Sequence, residues 1–387
     1  MPTPQIDGPR ACTKADLPEV IALANSSLGR GGTDRTVLTD YPLIYQDKNL
    51  ENVRILRVDG ELASVVPFIV WPIDFGGCRF SIGGISPTAT AVPHRMKGYG
   101  RQCLEDCLRK MEAMGCELSI LRTKVATFPF YACGDYQAVQ NQAWIYPCTR
   151  EDAGRFVPHG EAIVERNQLA DDELAAVRAM HEAEGGGSYR SPERYGPLFS
   201  LPKMKALLAY RGKTPVAYLL VSNALNMPGL LEAGGDEAAV ETLVHRALSE
   251  LGETETRIGH GNLNPSVLDG LLEKRLPGRR QPTAENRMVR INRPAAFLRR
   301  IAPWMERENR GVERAFSVTT GGETVSFRFG PGGLSLGTDR LDPHHELSRR
   351  QLVSAVFGDH PSYPPAPAVH LGGLPPFYFP VWLLDRS

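Results

Sequence analysis

The sequence predicts an α/β fold of α+β character, built on mixed sheets. Strand-like runs and amphipathic helical stretches alternate along the chain. A strong hairpin signal, Asp59-Gly60, joins two of those runs. A similar strand–turn–strand unit with flanking helices returns in the middle third, and a series of short strands follows near the end. These features divide the 387 residues into 1–150, 151–293 and 294–387. A chain of this length is expected to hold two or three domains.

The first segment opens with Thr13 as a helix cap and Asp16 three positions on, a capping-box-like pair. Leu17, Val20, Ile21 and Ala24 then recur at helical spacing, and the glycines from Gly29 to Gly32 end the helix. Strands are expected over Val53–Val58, over Leu62–Val70 and from Arg79 through about Val92. A helix from Tyr99 to Met114 stops at Gly115. A buried strand, Leu118–Leu121, and a short helical stretch near Phe128–Cys133 complete the segment.

The second segment repeats part of this plan. Leu207–Gly212 precedes Pro215–Val221 as Ile55–Gly60 precedes Val70, and helices flank the pair at Asp171–Glu184 and Glu237–Leu251. We read a weak internal duplication, with Arg150–Glu161 as linker. In the third segment Met288–Ile291 reads as a strand and Pro294–Trp304 as an apolar helix. Phe316–Thr319, Thr324–Phe329 and Leu334–Leu336 alternate like strands, and Ser348–Phe357 is a helix. The tail from Pro361 is rich in proline and aromatics.

Composition excludes several classes. Lys plus Arg is 44 and Asp plus Glu is 44, so the formal net charge is zero, and no nucleic-acid partner is expected. The longest apolar run, Ala63–Ile73, contains two prolines and is too short to span a bilayer, so no membrane role is expected. The first residues carry neither a basic nor an apolar leader region, and we expect a cytoplasmic protein. The seven cysteines all lie between Cys12 and Cys148 with no CxxC pair, and read as small buried hydrophobes. Cys103 and Cys107 share a helix face without a third ligand. His344, His345, His360 and His370 are irregularly spaced, so no metal is expected.

The informative stretch is Val92-Pro93-His94-Arg95-Met96-Lys97-Gly98-Tyr99-Gly100-Arg101, between a predicted strand and a predicted helix. Two glycines let the backbone turn tightly and approach a ligand. Free amides at the helix start, backed by the positive end of its dipole, suit an anion such as a pyrophosphate. Arg95, Lys97 and Arg101 add charge around it. The alternative is a plain glycine-bearing turn before a basic helix. His94 either touches phosphate or is a solvated turn residue. The corresponding loop of the second segment, Glu232-Ala233-Gly234-Gly235-Asp236-Glu237, is acidic.

Arg95, Gly98 and Gly100 fill the Q/R-x-x-G-x-G/A pattern of the acetyl-CoA loop of the GNAT acetyltransferase superfamily, which this chain resembles. The order of elements around the loop agrees. Phe130-Tyr131-Ala132-Cys133-Gly134-Asp135-Tyr136 resembles the superfamily's FYxxxG-aromatic segment, with the glycine one residue early. The whole chain resembles the enhanced intracellular survival branch: two GNAT-like mixed-sheet lobes in tandem, the second degenerate, then a small sterol-carrier-protein-like domain. Arg287–Ile291 followed by Pro294–Leu298 resembles that branch's entry into its last domain.

The resemblance implies an N-acetyltransferase that moves an acetyl group from acetyl-CoA to a primary amine. Thr90, Ala91, Val92 and the loop residues Arg95, Met96, Lys97, Gly98, Tyr99 and Gly100 would hold acetyl-CoA. Backbone donors near Thr88–Val92 would face the oxyanion. Tyr131 matches the general acid, since a phenol suits a departing thiolate; the alternative is a half-buried aromatic with a satisfied hydroxyl. The branch accepts small polycationic amines such as aminoglycosides, and lysine side chains. Asp34, Asp40, Glu182 and Glu184 are acids that such an acceptor would want nearby. The branch places its terminal carboxylate at the active site, which here would be Ser387, with Asp385 as the competing acid. A homo-oligomer is implied by resemblance alone. The alternative function is a lipid or apolar-ligand carrier acting through residues 294–387.

Overall fold

The computed structural model describes residues 3–30, 35–75, 77–139, 142–184, 187–224, 227–251, 254–259, 266–284 and 286–360. They form two compact units. The first joins the residues up to 139 with those from 286 to 360; the second runs from 142 to 284.

The first unit begins with β1 (Ile6–Ala11), α1 (Leu17–Ser27), α2 (Val37–Asp40), β2 (Val53–Val58) and β3 (Glu61–Phe75). It continues through β4 (Cys78–Ile85), β5 (Ala89–Thr90), α3 (Tyr99–Ala113), β6 (Leu118–Arg122), α4 (Phe128–Ala132) and β7 (Gln137–Ala138). The β2–β3 hairpin turns as expected: Asp59 and Gly60 both adopt positive φ, +51° and +86°, which matches the twist of the flanking strands. Two expectations are corrected. Thr13 does not start α1; its amide and hydroxyl bond to Asp16 Oδ2 at 2.9 and 2.7 Å, and the helix begins after Asp16. The single strand expected from Arg79 to Val92 is two, because Pro87 supplies no amide for a continuous ladder.

The second unit holds β8 (Gln142–Cys148), β9 (Ala162–Arg166), α5 (Asp171–Glu184), β10 (Gly187–Ser188), α6 (Pro192–Phe199), β11 (Met204–Arg211) and β12 (Thr214–Ala224). It then adds β13 (Met227–Gly235), α7 (Glu237–Leu251), β14 (Thr254–Gly259), α8 (Val267–Arg275) and β15 (Gln281–Ala284). One antiparallel sheet runs β13–β12–β11–β9 and another β14–β8–β15. Leu207, Leu219, Val240, Leu243 and Leu272 lie in its core.

The chain then returns to the first unit as β16 (Arg287–Ile291), α9 (Pro294–Arg300), α10 (Ala302–Glu308), β17 (Arg314–Thr320), β18 (Glu323–Gly330), β19 (Gly333–Gly337), β20 (His344–Glu346) and α11 (Arg349–Phe357). The single apolar helix expected over Pro294–Trp304 is broken at Ile301. Strands β17–β20 form their own small sheet. β16 does not join it. It enters the first sheet, whose order is β1–β2–β3–β4–β6–β16–β7. Only the β4–β6 pair in that row is parallel. Among the described residues no helix is long and apolar enough to cross a membrane.

α3 covers one face of this sheet with Tyr99, Cys103, Leu104, Cys107, Leu108 and Met111 buried at helical spacing. Burial pushes the Cys103 thiol up to about 12 and Cys107 well up, so both behave as the small hydrophobes expected of them. A polar network fastens β16 and α11 to this lobe. Tyr136 donates to Ser119 (2.8 Å), and Ser119 donates to Asn292 Oδ1 (2.9 Å). Arg290 reaches the same oxygen at 2.7 Å. Arg290 and Arg349 both bind Glu112 Oε1 at 2.9 Å. Replacing Glu112 by Gln leaves two guanidinium groups without their shared carboxylate, one of them buried. The variant is expected to lose about 2 kcal/mol, read as a lower urea midpoint with unchanged slope; an unchanged midpoint shows that the network does not fasten the segment.

Candidate active site

The site forms where two parallel strands part. β4 and β6 pair at Ile82–Leu118, Gly83–Ser119 and Gly84–Ile120 and no further. Beyond Gly84 the chain stays with β3 instead: Ala89 pairs with Val65 and Thr90 with Ser64. Ser64 holds it there. Its buried hydroxyl donates to the Ala89 carbonyl (3.1 Å) and meets Thr90 Oγ1 at 2.9 Å. The sequence signal for Ser64 is a polar residue at a core position in the apolar run Leu62–Val66, which the motif reading passed over.

From Thr90 the chain turns through Ala91, Val92 and His94. The Ala91 amide donates to the Ala63 carbonyl (2.9 Å) and the His94 amide to the Ala91 carbonyl (2.9 Å). Arg95 Nε donates to the Thr90 carbonyl (3.1 Å), tying the loop to the strand end. Met96 and Gly98 then take left-handed conformations, φ +60° and +84°, and the chain enters α3. Gly98 is the N-cap with no side chain to offer, so the amides of Tyr99, Gly100 and Arg101 have no intrahelical acceptor. The first helical bond runs from Gln102 to the Gly98 carbonyl, 3.1 Å. Gly98 is required by its φ. Gly100 makes the approach close: a Cβ there would stand 3.0 Å from Thr90 Oγ1 and 3.4 Å from the Phe130 ring, and those side chains would have to give way slightly.

The result is an uncapped start of a 15-residue helix, flanked by the exposed side chains of Arg95 and Lys97. It fits an anion such as the pyrophosphate of a coenzyme A. Arg101 is turned away into an ion pair with Glu105, 2.8 Å. His94 is not the solvated turn residue expected. Both ring nitrogens are buried, and the ring lies edge-on to Tyr99 at 5.9 Å with Nε2 3.8 Å from Glu61.

Tyr131 stands on α4, 7 % exposed, its ring T-shaped to Phe130 at 4.8 Å and to Tyr136 at 6.1 Å. Burial pushes its pKa up, while the neighbouring Thr88 hydroxyl pulls it down. The early glycine of this segment closes α4: the Gly134 amide donates to the Tyr131 carbonyl (2.9 Å), and Asp135 takes φ +63°. That turn delivers Tyr136 to the core.

Of the acids singled out by sequence, Asp40 is bound by Arg35 at 2.5 Å and by Arg30. In the second unit Glu182 pairs with Arg178 (2.8 Å), and Glu184 is pushed up by burial while accepting from the Val267 amide (2.8 Å). Asp34, His370, Asp385 and Ser387 lie outside the described residues. Among the described residues no three His, Cys, Asp or Glu side chains gather as a metal would need. The helix start of the second unit is unlike the first. Asp236 caps α7 by accepting from the Ala239 amide (3.0 Å), and Arg211 pairs with it at 2.8 Å. A carboxylate already occupies the place of an anion.

Parted parallel strands and an uncapped glycine-bearing helix start stand side by side on a mixed sheet. Residues 9–138 match the family model of the acetyltransferase (GNAT) domain. No curated protein sequence matches the chain. Solved structures with a similar fold include a GCN5-related N-acetyltransferase from Kribbella flavida, 14% identical, with TM-score 0.65 over 90% of this chain and 88% of that one. A GCN5-related N-acetyltransferase from Anabaena variabilis is 13% identical, with TM-score 0.64 over 92% and 90%. Eis1 from Mycobacterium abscessus is 14% identical, with TM-score 0.60 over 92% and 90%. At these identities the likeness is one of fold.

Gly98→Glu places a side chain in a left-handed position and a negative charge at the helix start. Acetyl-CoA affinity by calorimetry is expected to fall by about 100-fold or more, with the melting temperature lowered by only a few degrees by the backbone strain. Unaltered affinity removes this loop from the site.

Proposed function

We propose that the chain is an N-acetyltransferase that moves the acetyl group of acetyl-CoA to a primary amine. The observation that carries this reading is the uncapped start of α3, set beside the end of a strand that has left its parallel partner. Backbone amides of the loop from Arg95 to Gly100 would receive the pyrophosphate, and Thr90, Ala91 and Val92 would run beside the rest of the coenzyme.

The chemistry needs little more. The neutral amine attacks the thioester carbonyl; a C–N bond forms, and the C–S bond breaks as the tetrahedral oxyanion collapses. The departing thiolate takes the phenolic proton of Tyr131. A phenol held above its usual range stays protonated through the neutral and mildly alkaline range in which an amine begins to lose its proton, so it is a competent acid there. The amine's own proton is assigned, on the resemblance alone, to the carboxylate of Ser387. Small polycationic amines and lysine side chains are the acceptor classes of this reading, which also includes the three-part division at 150 and 293 and assembly as a homo-oligomer. The second lobe, with Asp236 capping its helix, takes no CoA.

The lipid-carrier reading has less support. A pocket of about 280 Å³ between α10 and β18–β19 is lined by Glu306, Arg307, Asn309 and Arg310 beside Val312 and Phe329, a charged rim unlike the apolar wall that a lipid needs.

A panel of amines with thiol release as readout tests the activity, and no release with any of them ends the reading. Tyr131→Phe is expected to lower kcat by roughly 100- to 10,000-fold with acetyl-CoA affinity retained; a loss under about threefold makes Tyr131 a packing residue. Burial raises the pKa of this phenol, so its acid form persists as pH rises. The rate is therefore expected to climb with amine deprotonation and to show no falling limb below about pH 10. A limb near pH 8 assigns the acid elsewhere. Residues appended after Ser387 are expected to reduce kcat/KM while folding is intact, and full activity in that variant removes its carboxylate from the mechanism.

A further inference from the structure

The gap between β4 and β6 closes at Gly84, whose pairing with Ile120 is the last between the two strands. Gly83 and Gly84 face opposite sides of the sheet. A Cβ on Gly83 would meet Met111 of α3 at 2.6 Å, so Gly84 faces away from that helix. On this far side the ring of Trp71 lies against it. A Cβ on Gly84 would stand 2.5 and 2.6 Å from two atoms of the six-membered ring. Trp71 is carried by β3, where it pairs with Ile82, so its ring leans along the sheet toward the gap. It is 3 % exposed. Ile69 pairs with Gly84 from β3 and Ile120 from β6, and both share this face.

A glycine inside a strand costs stability and marks a close approach. What approaches here is an indole, and it lies where the closed end of the gap meets the far face of the sheet. With the pyrophosphate at the start of α3, the coenzyme runs back along Val92, Ala91 and Thr90. Its thioester end then points down the gap toward Gly84. An acyl chain longer than acetyl meets an apolar floor made by Gly84, Ile69, Trp71 and Ile120, in which the indole takes up the room. A close-packed buried ring does not yield cheaply to extra methylenes. The lining also fixes the chemistry: a space without charge suits a straight hydrocarbon chain and penalises a carboxylate.

We propose that Trp71, seated on Gly84, is the specificity-determining residue for the acyl donor: it admits acetyl and rejects longer straight chains such as hexanoyl. This rests on the acetyl-transfer reading above. The transfer step itself is unchanged.

The test compares acetyl-CoA with hexanoyl-CoA in the full chain and in Trp71→Leu. Calorimetry gives affinity, and thiol release with neomycin as acceptor gives kcat/KM. Phe80→Leu is the control. Phe80 is also buried and lies on the same face of β4, four positions from Gly84, so the variant loses packing away from the gap. The wild-type chain is expected to prefer acetyl-CoA by roughly 100-fold or more in kcat/KM and by about 10-fold in affinity. Trp71→Leu is expected to move both ratios toward hexanoyl-CoA by about 10-fold or more, since each buried methylene contributes roughly fourfold. Phe80→Leu leaves both ratios within about twofold. If Trp71→Leu fails to fold, Trp71→Phe makes the same comparison with a shift of about three- to fivefold. Equal use of the two thioesters by the wild-type chain, unchanged ratios in the Trp71 variant, or an equal shift in Phe80→Leu overturns the proposal. Acetyl-CoA binding with no turnover of any amine ends the transfer reading, while the affinity ratios still decide whether Trp71 limits the acyl chain. A wild-type chain that binds neither thioester overturns both.

Discussion

The site depends on one constraint, the early end of pairing between β4 and β6. Parallel neighbours in a sheet normally share bonds along their length. Here they share them over three residue pairs, because the continuing strand is held on the β3 side by Ser64 and the β5 register. Strand edges that part expose amides and carbonyls, which must find partners elsewhere. The opening also fixes the position of α3. The helix can start only where the strand ends, and Gly100 lets it start in contact with Thr90.

The two units show the same local plan carried to opposite electrostatic ends. Each has a long hairpin, a strand and a helix entered through glycine. In the first, the helix start has no cap and two exposed cations beside it. In the second, Asp236 supplies the cap, and Arg211 and Arg190 are bound by carboxylates, the latter in a fully buried pair with Glu232 at 2.6 Å. One side chain at a helix N-terminus decides whether that terminus is a receptor or a closed joint.

Much of this was legible in the sequence. Hairpin and helix boundaries of the first lobe follow local rules, positive-φ turn residues and helical spacing, and local rules survive folding. The glycine loop was legible for the same reason. His94 was misread because an exposed turn and a buried turn have the same sequence; only Tyr99, five residues on in the helix, decides which. Thr13 was misread because Asp16 draws the same hydrogen bonds as a capping box while the helix starts later. Met288–Ile291 read correctly as a strand, one residue short of the observed Arg287–Ile291, but nothing local says that its place is in a sheet begun near the N-terminus.

That placement has a consequence for how the chain is made. β6 lies between β4 and β16, and Ile120 pairs with Val289, so the inner edge of the first sheet waits for residues that emerge much later. At ordinary ribosomal rates, roughly 5–20 residues per second, the delay is roughly ten to thirty seconds. During that interval the second unit is synthesised in full, while Leu118 to Arg122 present an open edge. An open apolar edge invites pairing with another chain. The nascent protein therefore passes through a window in which its first lobe is nearly complete and still adhesive, and the closing event is the arrival of a single five-residue strand.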